Sequence, residues 1–204
     1  MNWMLTTRLR SLIAIAESRS AAETGLVIAA RQGDRNAFDE LVRCHHPGVI
    51  NVVFRLCGDM QLAEDAAQEA FLQAWLHLES FQPGSSLRNW LYRIAVNAAL
   101  DGLRRSQEKP DRSIETGLQA DPGPGPESAL IQSEQAGLVR KAILSLPEPG
   151  RAALVLREYG GLSYREIASV LDVPLGTVMS RLNHARSHLR KLLAPALLME
   201  KDHE

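Results

Sequence analysis

Cysteine, aromatic residues and long apolar runs are all scarce in this chain of 204 residues. The two cysteines, Cys44 and Cys57, are too few for the disulfide framework of a secreted protein, so we expect a reducing, cytoplasmic location. No apolar stretch approaches the roughly 18–20 residues that span a bilayer, so we expect no membrane insertion. Aromatic residues make up only 5% of a chain rich in Ala, Leu and Arg, a balance that favours helices over sheets.

Sequence motifs of enzymes and of metal sites are also missing. There is no glycine-rich phosphate loop, nucleophile elbow or paired acid/base motif. Cys44, His45, His46 and Cys57 supply metal-ligand types, but their spacing matches no zinc-finger pattern. We therefore expect no enzymatic activity, no bound metal and no cofactor.

The N-terminal 24 residues resemble a targeting segment only superficially. Arg8 and Arg10 precede the apolar stretch Leu12–Ala16, which is shorter than the roughly 7–15 residues of a secretory signal core. We interpret residues 1–24 as a flexible N-terminal extension.

The net charge of −1 conceals a strong segregation of charge along the chain. Between Arg55 and Arg88 there is no lysine or arginine but there are five acidic residues, while between Asp172 and Glu200 there is no acidic residue but there are four basic ones. This segregation indicates two partners of opposite sign: a basic surface for the first block and phosphate for the second.

The segment between these blocks predicts a linker. Three prolines and two glycines within Asp121–Pro126 prevent a helix there, and residues 106–134 hold two basic and six acidic residues, a net of −4. The sequence therefore predicts an all-α protein with two small helical domains, at residues 25–105 and 128–194. A flexible acidic linker at 106–127 joins them, and a tail at 195–204 follows.

Apolar spacing and cap residues predict the helices of the first domain. Gly33, Gly58 and the loop Phe81–Ser86 separate them. The expected helices are Leu26–Gln32, a helix capped by Asp34 that ends near Cys44, Pro47–Gly58, a helix capped by Asp59 that ends near Leu78, and Leu87–Arg105.

The second domain contains a helix-turn-helix pattern. After expected helices at about 127–146 and 152–159, separated by a break at Pro147–Gly150, Ser163 and Glu166 form a capping box that opens a short helix. That helix ends at Asp172–Pro174, and a second runs from Leu175 to Leu193, with an apolar stripe at Leu175, Val178, Leu182, Ala185 and Leu189. Its opposite face is small and polar with arginines at the sides, which is typical of a helix that reads DNA bases.

Two pairs of segments resemble one family. Ser163–Ala168 and Val173–Leu182 are similar to region 4 of the extracytoplasmic-function (ECF) sigma factors of the sigma-70 family. Glu64–Phe71 and Leu87–Ala95 resemble region 2 of the same family. The resemblance covers roughly residues 25–194 and implies an alternative sigma factor, which directs promoter recognition, −10 melting and transcription initiation.

The resemblance implies the partners and the residues that contact them. The partners would be core RNA polymerase, promoter DNA and an anti-sigma factor, with the free chain a monomer and the linker lying in a positive polymerase channel. The clamp helices of the β′ subunit would bind Asp65, Gln68 and Glu69. The loop Phe81–Ser86 and Arg88, Asn89, Trp90, Arg93, Asn97, Asp101, Arg104 and Arg105 would serve the −10 element. The −35 element would be read by Gly176, Thr177, Met179, Ser180, Arg181, Asn183, His184 and Arg186.

The chain departs from the family pattern at a few positions. Met179, Asn183 and His184 stand where a basic or bulkier polar residue is more common, and Val96 stands where an arginine is common. Fewer fixed charges predict weaker phosphate attraction, which fits either weak promoter binding without polymerase or an altered −35 preference.

Two other functions fit parts of the pattern. A stand-alone helix-turn-helix regulator would use the first domain for sensing or dimerisation, and it would bind a palindromic duplex without polymerase. A degenerate, sigma-like interaction protein would bind polymerase without opening DNA.

Overall fold

The structure is a computed structural model that describes residues 21–82, 85–107 and 136–199. Within these residues the regular structure is helical and includes no strand. In chain order the helices are α1 (21–31), α2 (Arg35–Cys57), α3 (Met60–Leu76), a 3₁₀ helix (Leu78–Ser80), α4 (Leu87–Gln107), α5 (136–144), α6 (Glu148–Glu158), α7 (Tyr164–Leu171) and α8 (Leu175–Met199).

Local capping explains where the helices of the first half begin and end. The Asp34 carboxylate accepts a 2.9 Å bond from the Asn36 N–H and caps α2, and Asp59 accepts a 3.0 Å bond from the Leu62 N–H and caps α3. Gly58 ends α2 in the left-handed conformation (φ +74°). These predicted caps and the predicted stop at Gly58 are confirmed.

The prediction of two helices between Asp34 and Gly58 is wrong, because α2 continues through Pro47. Proline removes one backbone donor and favours a helix start, which is why the sequence indicated a new helix. Leu41 and Val49, on either side of Pro47, are both buried, so packing along the whole helix offsets the local cost.

The predicted break between α5 and α6 is confirmed, but it lies at 145–147, so the expectation that it extends to Gly150 is wrong. Pro147 is the N-cap residue of α6, and Pro149 and Gly150 lie in the first turn of the helix. The first N–H groups of a helix have no intrahelical acceptor, so a proline there loses no hydrogen bond. The last helix, α8, extends past the predicted end at Leu193 to Met199.

The core of the first half lies between α2, α3 and α4. Ala63, Ala67, Ala70 and Ala74 are fully or almost fully buried on one side of α3, where their small side chains let the neighbouring helices approach closely. This packing leaves the opposite side of α3 free to face solvent.

The core of the second half lies between α6, α7 and α8. Leu156, Leu162, Ile167 and Leu182 are almost completely buried there. The predicted capping box at the start of α7 is confirmed: Ser163 accepts from the Glu166 N–H, and Glu166 accepts from the Ser163 N–H. Asp172 ends α7 with φ +52°, and the turn to α8 follows.

The two halves pack against each other, through α2 with α6 and through α4 with α7. Most of the predicted linker, 106–127, lies outside the described residues, but Ser106 and Gln107 belong to α4. Residues 21–24, expected in the flexible extension, belong to α1. In the part of the chain that is described, no helix is both long and apolar enough to cross a bilayer.

Candidate protein and nucleic-acid interfaces

One side of α3 forms a surface that combines acidic and apolar side chains. Asp65, Gln68 and Glu69 are all exposed, and Leu72 and Leu76 lie on the same side of the helix with 52% and 61% of their surface exposed. We call these five residues the α3 face. The sequence analysis missed the two leucines, although their spacing, opposite the buried alanines of α3, is a signal that could have identified them.

Glutamine side chains one turn away hold the two carboxylates of the α3 face in place. Gln61 Nε2 donates to Asp65 Oδ1 at 3.2 Å, and Gln73 Nε2 donates to Glu69 Oε1 at 2.7 Å. Both pairs are separated by four residues, the spacing at which helix side chains meet. The α3 face therefore presents ordered negative charge beside exposed leucine side chains, a combination suited to a basic and partly apolar protein surface.

An open groove of about 1170 Å³ lies between α3 and α4. Asp65 and Glu69 stand on the α3 side, and the α4 side consists of residues predicted to serve the −10 element. The structure thus brings the predicted polymerase contacts and this set of −10 residues to the walls of one groove. The α4 residues are Trp90, Arg93, Asn97, Asp101 and Arg105.

Trp90 lies where the groove meets the loop that precedes α4. Its ring centroid is 5.3 Å from that of the buried Phe81, with the planes tilted by 49°. Tyr92, two residues along, is buried in the core. Trp90 is only half-buried, so part of its ring remains available in the groove.

A second set of predicted −10 residues contacts the helix-turn-helix half. Asn89 Nδ2 donates to Glu166 Oε1 at 2.9 Å, and Arg104 Nη2 donates to Glu148 Oε1 at 3.1 Å. Arg93, which also lines the groove, lies 3.7 Å from a carboxylate oxygen of Asp172. The exposed Arg88 lies near the same contact, where its positive charge contributes to the lowered pKa of Glu166. In this arrangement carboxylates of the second half contact side chains that the sequence analysis assigned to the −10 element.

Glu166 accepts hydrogen bonds from both halves of the chain. Its carboxylate accepts from Asn89 of the first half and from the N–H of Ser163, which opens α7. Hydrogen bonds from Asn89, and then from Ser163, lower the pKa of Glu166 to about 2, because they stabilise its ionised form. The same charge therefore caps α7 and ties it to α4.

Arginine–aromatic stacking completes the contact between the halves. The Arg55 guanidinium lies 4.7 Å from the ring centroid of Tyr159, and that of Arg140 lies 4.6 Å from the ring centroid of Phe54. Burial beside this contact raises the pKa of the Cys57 thiol to about 12, which makes it a structural rather than a reactive cysteine. Among the described residues, no group of three or more metal-ligating side chains is arranged to hold an ion.

The recognition helix α8 exposes most of the side chains predicted to serve the −35 element. Gly176, Met179, Ser180, Asn183 and His184 are exposed at its N-terminal half, while Thr177 and Arg181 are half-buried at the edge of this surface. The predicted apolar stripe is buried at Val178, Leu182 and Ala185. Leu175 was expected in that stripe, but 40% of its surface is exposed, because it lies in the first turn of α8 beyond the packed helices.

Arg186 stands apart from the other predicted −35 residues. It donates to Glu158 at 3.0 Å and to the Tyr164 hydroxyl at 3.1 Å. These bonds, the one to Glu158 above all, raise the pKa of Arg186. Its guanidinium links α8 to α6 and α7, so the arrangement gives it a structural task in addition to any contact with phosphate.

A basic cleft of about 440 Å³ adjoins the recognition surface. It lies between the start of α6, at Pro147 and Pro149, and one side of α8. One arginine, one lysine and two histidines line the α8 wall, so the cleft extends the positive surface of the recognition helix toward α6. The residues are Arg181, His184, His188 and Lys191.

Comparison with known proteins gives two matches to family profiles. Sigma-70 region 2 matches residues 41–109, and Sigma-70 region 4 matches residues 136–189. The chain is 39% identical over 181 residues to the RNA polymerase sigma-H factor of Pseudomonas aeruginosa, a match that spans 84% of this chain and 94% of that protein. It is 33% identical to the ECF RNA polymerase sigma factor SigW of Bacillus subtilis, over 80% of this chain and 92% of SigW.

A solved structure shares both the fold and the sequence pattern. It is the sigma factor RpoE in complex with the anti-sigma factor NepR from Bartonella quintana, with a TM-score of 0.62 and 27% identity. The match spans 77% of this chain and 96% of RpoE, so it includes both helical halves.

Proposed function

The chain belongs to the ECF sigma factors of the sigma-70 family, and we propose that its two halves divide polymerase binding and promoter recognition between the surfaces described above. As an alternative sigma factor it directs transcription initiation. It binds and positions, while bond formation belongs to the polymerase, so it needs no cofactor and works in the cytoplasm beside its partner.

The α3 face binds the clamp helices of the β′ subunit. The observation that carries this proposal is that hydrogen bonds hold Asp65 and Glu69 in place on a helix that has no lysine or arginine of its own, next to exposed Leu72 and Leu76. Carboxylates set the orientation on a basic partner and speed the encounter, and the leucines add apolar area that is released from water on docking.

The groove between α3 and α4 receives the −10 element. Arg93 and Arg105 supply positive charge for a phosphate backbone along one wall, and the half-buried Trp90 offers a ring on which an unstacked base can lie. The loop Phe81–Ser86, of which Pro83 and Gly84 lie outside the described residues, borders the groove at the Trp90 end.

The recognition helix α8 reads the −35 element in the major groove. Small residues at its start, Gly176 and Ser180, permit close approach to base edges, and exposed Met179 offers an apolar contact for a thymine methyl group. Arg181 and His184, on the side of the basic cleft, lie close enough to this surface to contact guanine or phosphate.

The described arrangement is a closed form of the factor. Arg104 is bonded to Glu148, Asn89 is bonded to Glu166, and Arg93 lies beside Asp172. These contacts break before promoter DNA can bind the same side chains. An anti-sigma factor is a suitable further partner, since the similar RpoE structure is a complex with one and matches this chain across both halves.

Run-off transcription with purified core polymerase on the promoter of the protein's own operon tests the proposal. We expect discrete initiation only when the protein is present, and co-elution of a monomer with polymerase. The stand-alone regulator predicts instead a dimer that shifts duplex DNA without polymerase. A degenerate factor would bind polymerase and start no transcript.

Charge reversal locates the polymerase contact within this assay. Asp65→Arg with Glu69→Arg should weaken polymerase binding by about 10–100-fold, since like charges across an interface repel. Glu40→Arg, at an exposed acidic position of α2, is the matched control and should bind as the unaltered chain does. Equal binding by all three proteins would mean that polymerase does not contact the α3 face.

A further inference from the structure

Arg31, at the end of α1, reaches across the first half to the 3₁₀ helix and to Phe81, the first residue of the −10 loop. Its Nε donates to the carbonyl oxygen of Leu78 at 3.0 Å, and its Nη2 donates to the carbonyl oxygen of Glu79 at 2.6 Å and to that of Phe81. The bonds join residues 47 to 50 positions apart in the sequence. Arg31 also precedes the part of the chain that the region 2 profile matches.

The guanidinium is well suited to this task. The Leu78 carbonyl oxygen already accepts the Phe81 N–H, and a carbonyl oxygen has a second lone pair that the guanidinium can use. Arginine offers its donors in a rigid, planar fork that can serve several acceptors at once, whereas lysine has one compact ammonium on a flexible stem. Replacing Arg31 by lysine therefore keeps the positive charge and removes the planar set of donors.

The clamped segment leads directly into the loop that faces promoter DNA. Phe81, whose carbonyl Arg31 holds, is buried against Trp90, a side chain of the groove. At the other end of the loop, Ser86 accepts bonds from the N–H groups of Asn89 and Trp90 and so fixes the start of α4. The loop is anchored at both ends, by Arg31 on one side and by Ser86 on the other.

We propose that Arg31 is a positioning residue for −10 recognition, which fixes Phe81 and through it the Trp90 ring on which an unstacked promoter base lies. A ring already held in its binding orientation loses less entropy when it captures a base. The inference rests on the proposed role of Trp90 in −10 recognition. Arg31 acts through these residues, because its Nε and both hydrogens of its Nη2 are taken up by the three carbonyl oxygens.

The test compares Arg31→Lys with Arg35→Lys in the full-length chain. Arg35 is exposed in the first turn of α2 and serves as the matched control. Three quantities are measured for each protein: the thermal midpoint, the affinity for core polymerase, and the ratio of transcription from the native −10 element to that from promoters with single −10 substitutions.

We expect Arg31→Lys to bind polymerase normally and to lose its −10 preference by about tenfold, the order of the effect of one mismatched base pair. Arg35→Lys should keep that preference. A lower thermal midpoint with an intact −10 preference would overturn the inference, because a merely structural role lowers all templates together. If the unaltered chain starts no transcript with core polymerase, it is the proposed function that fails, and the failure is visible before any variant is compared.

Discussion

The side-chain amide of Asn89, on α4, donates a 2.9 Å hydrogen bond to the carboxylate of Glu166, on α7, across 77 residues of sequence. Glu166 is also the residue that closes the capping box of the helix-turn-helix. The position of the proposed −10 surface and the start of α7 are therefore coupled through one charged group. Any process that breaks the bond of Asn89 to Glu166 also changes the environment of this cap.

The pKa of Glu166 reports directly on the closed arrangement. Because the bond from Asn89 is the largest cause of its depression to about 2, Asn89→Ala should raise the pKa toward its ordinary value of 4.5. Carbon-detected NMR of the glutamate carboxyl groups measures this shift. Asn97→Ala, an equivalent change at an exposed position of the same helix, should leave the pKa in place. Identical titration in both variants would mean that the halves do not meet through these residues in solution.

The acid stability of the protein should depend on the same carboxylate. A pKa lower in the folded than in the unfolded state means that the unfolded state binds more protons between about pH 4.5 and 2. The stabilisation by ionised Glu166 is thus complete above pH 4.5 and is lost as the pH falls toward 2. Glu166→Gln keeps an acceptor in the capping box but removes the charge that strengthens its hydrogen bonds, so it should cost about 1 kcal/mol at pH 7, and this difference should shrink on acidification.

Denaturant titrations of both proteins between pH 7 and pH 2 measure that difference. Glu64→Gln, at an exposed position of α3, is the control for removal of a carboxylate elsewhere. A stability difference for Glu166→Gln that stays constant across the acid range would contradict the linkage.

Gly33 and Gly58 both have a positive φ, and alanine variants at the two positions distinguish backbone strain from contact between the halves. Gly33 (φ +92°) has open space around it, whereas a Cβ on Gly58 (φ +74°) would lie 2.6 Å from a methyl group of Leu144 in α5. Gly33→Ala should cost about 1 kcal/mol from the left-handed conformation alone. Gly58→Ala should cost about 1 kcal/mol more, since Leu144 must move. Urea midpoints of the two variants give the comparison, and equal midpoints would place Leu144 away from Gly58.

Local chemistry explains which parts of the fold could be predicted from the sequence. Asp34, Asp59 and Ser163 cap helices through bonds to residues two or three positions away, so a short window contains all the information. Pro47 misled the analysis for the same reason, because the packing that carries α2 past it involves distant residues.

The candidate site shows the same difference between local and long-range information. The side chains of the α3 face and of α8 share a helix surface with their neighbours in sequence, so periodicity holds the information that groups them, although the analysis did not use it for Leu72 and Leu76. The bonds of Asn89 to Glu166 and of Arg31 to the carbonyls of residues 78–81 depend on how separate helices pack. No sequence window contains both partners, and charge patterning records only that opposite charges exist, not which of them meet.

Arg181 provides the most direct test of base reading by α8. It is half-buried at the edge of the recognition surface, in the basic cleft beside His184, where packing limits its rotamers and favours one docking geometry. Arg181→Ala should weaken −35-dependent binding by about 1–3 kcal/mol and reduce the preference for the native −35 sequence. Arg190→Ala removes the same charge more than two turns further along α8 and should weaken native and altered promoters equally. Quantitative transcription from paired promoters gives both ratios, and an unchanged preference in Arg181→Ala would restrict that side chain to phosphate contact.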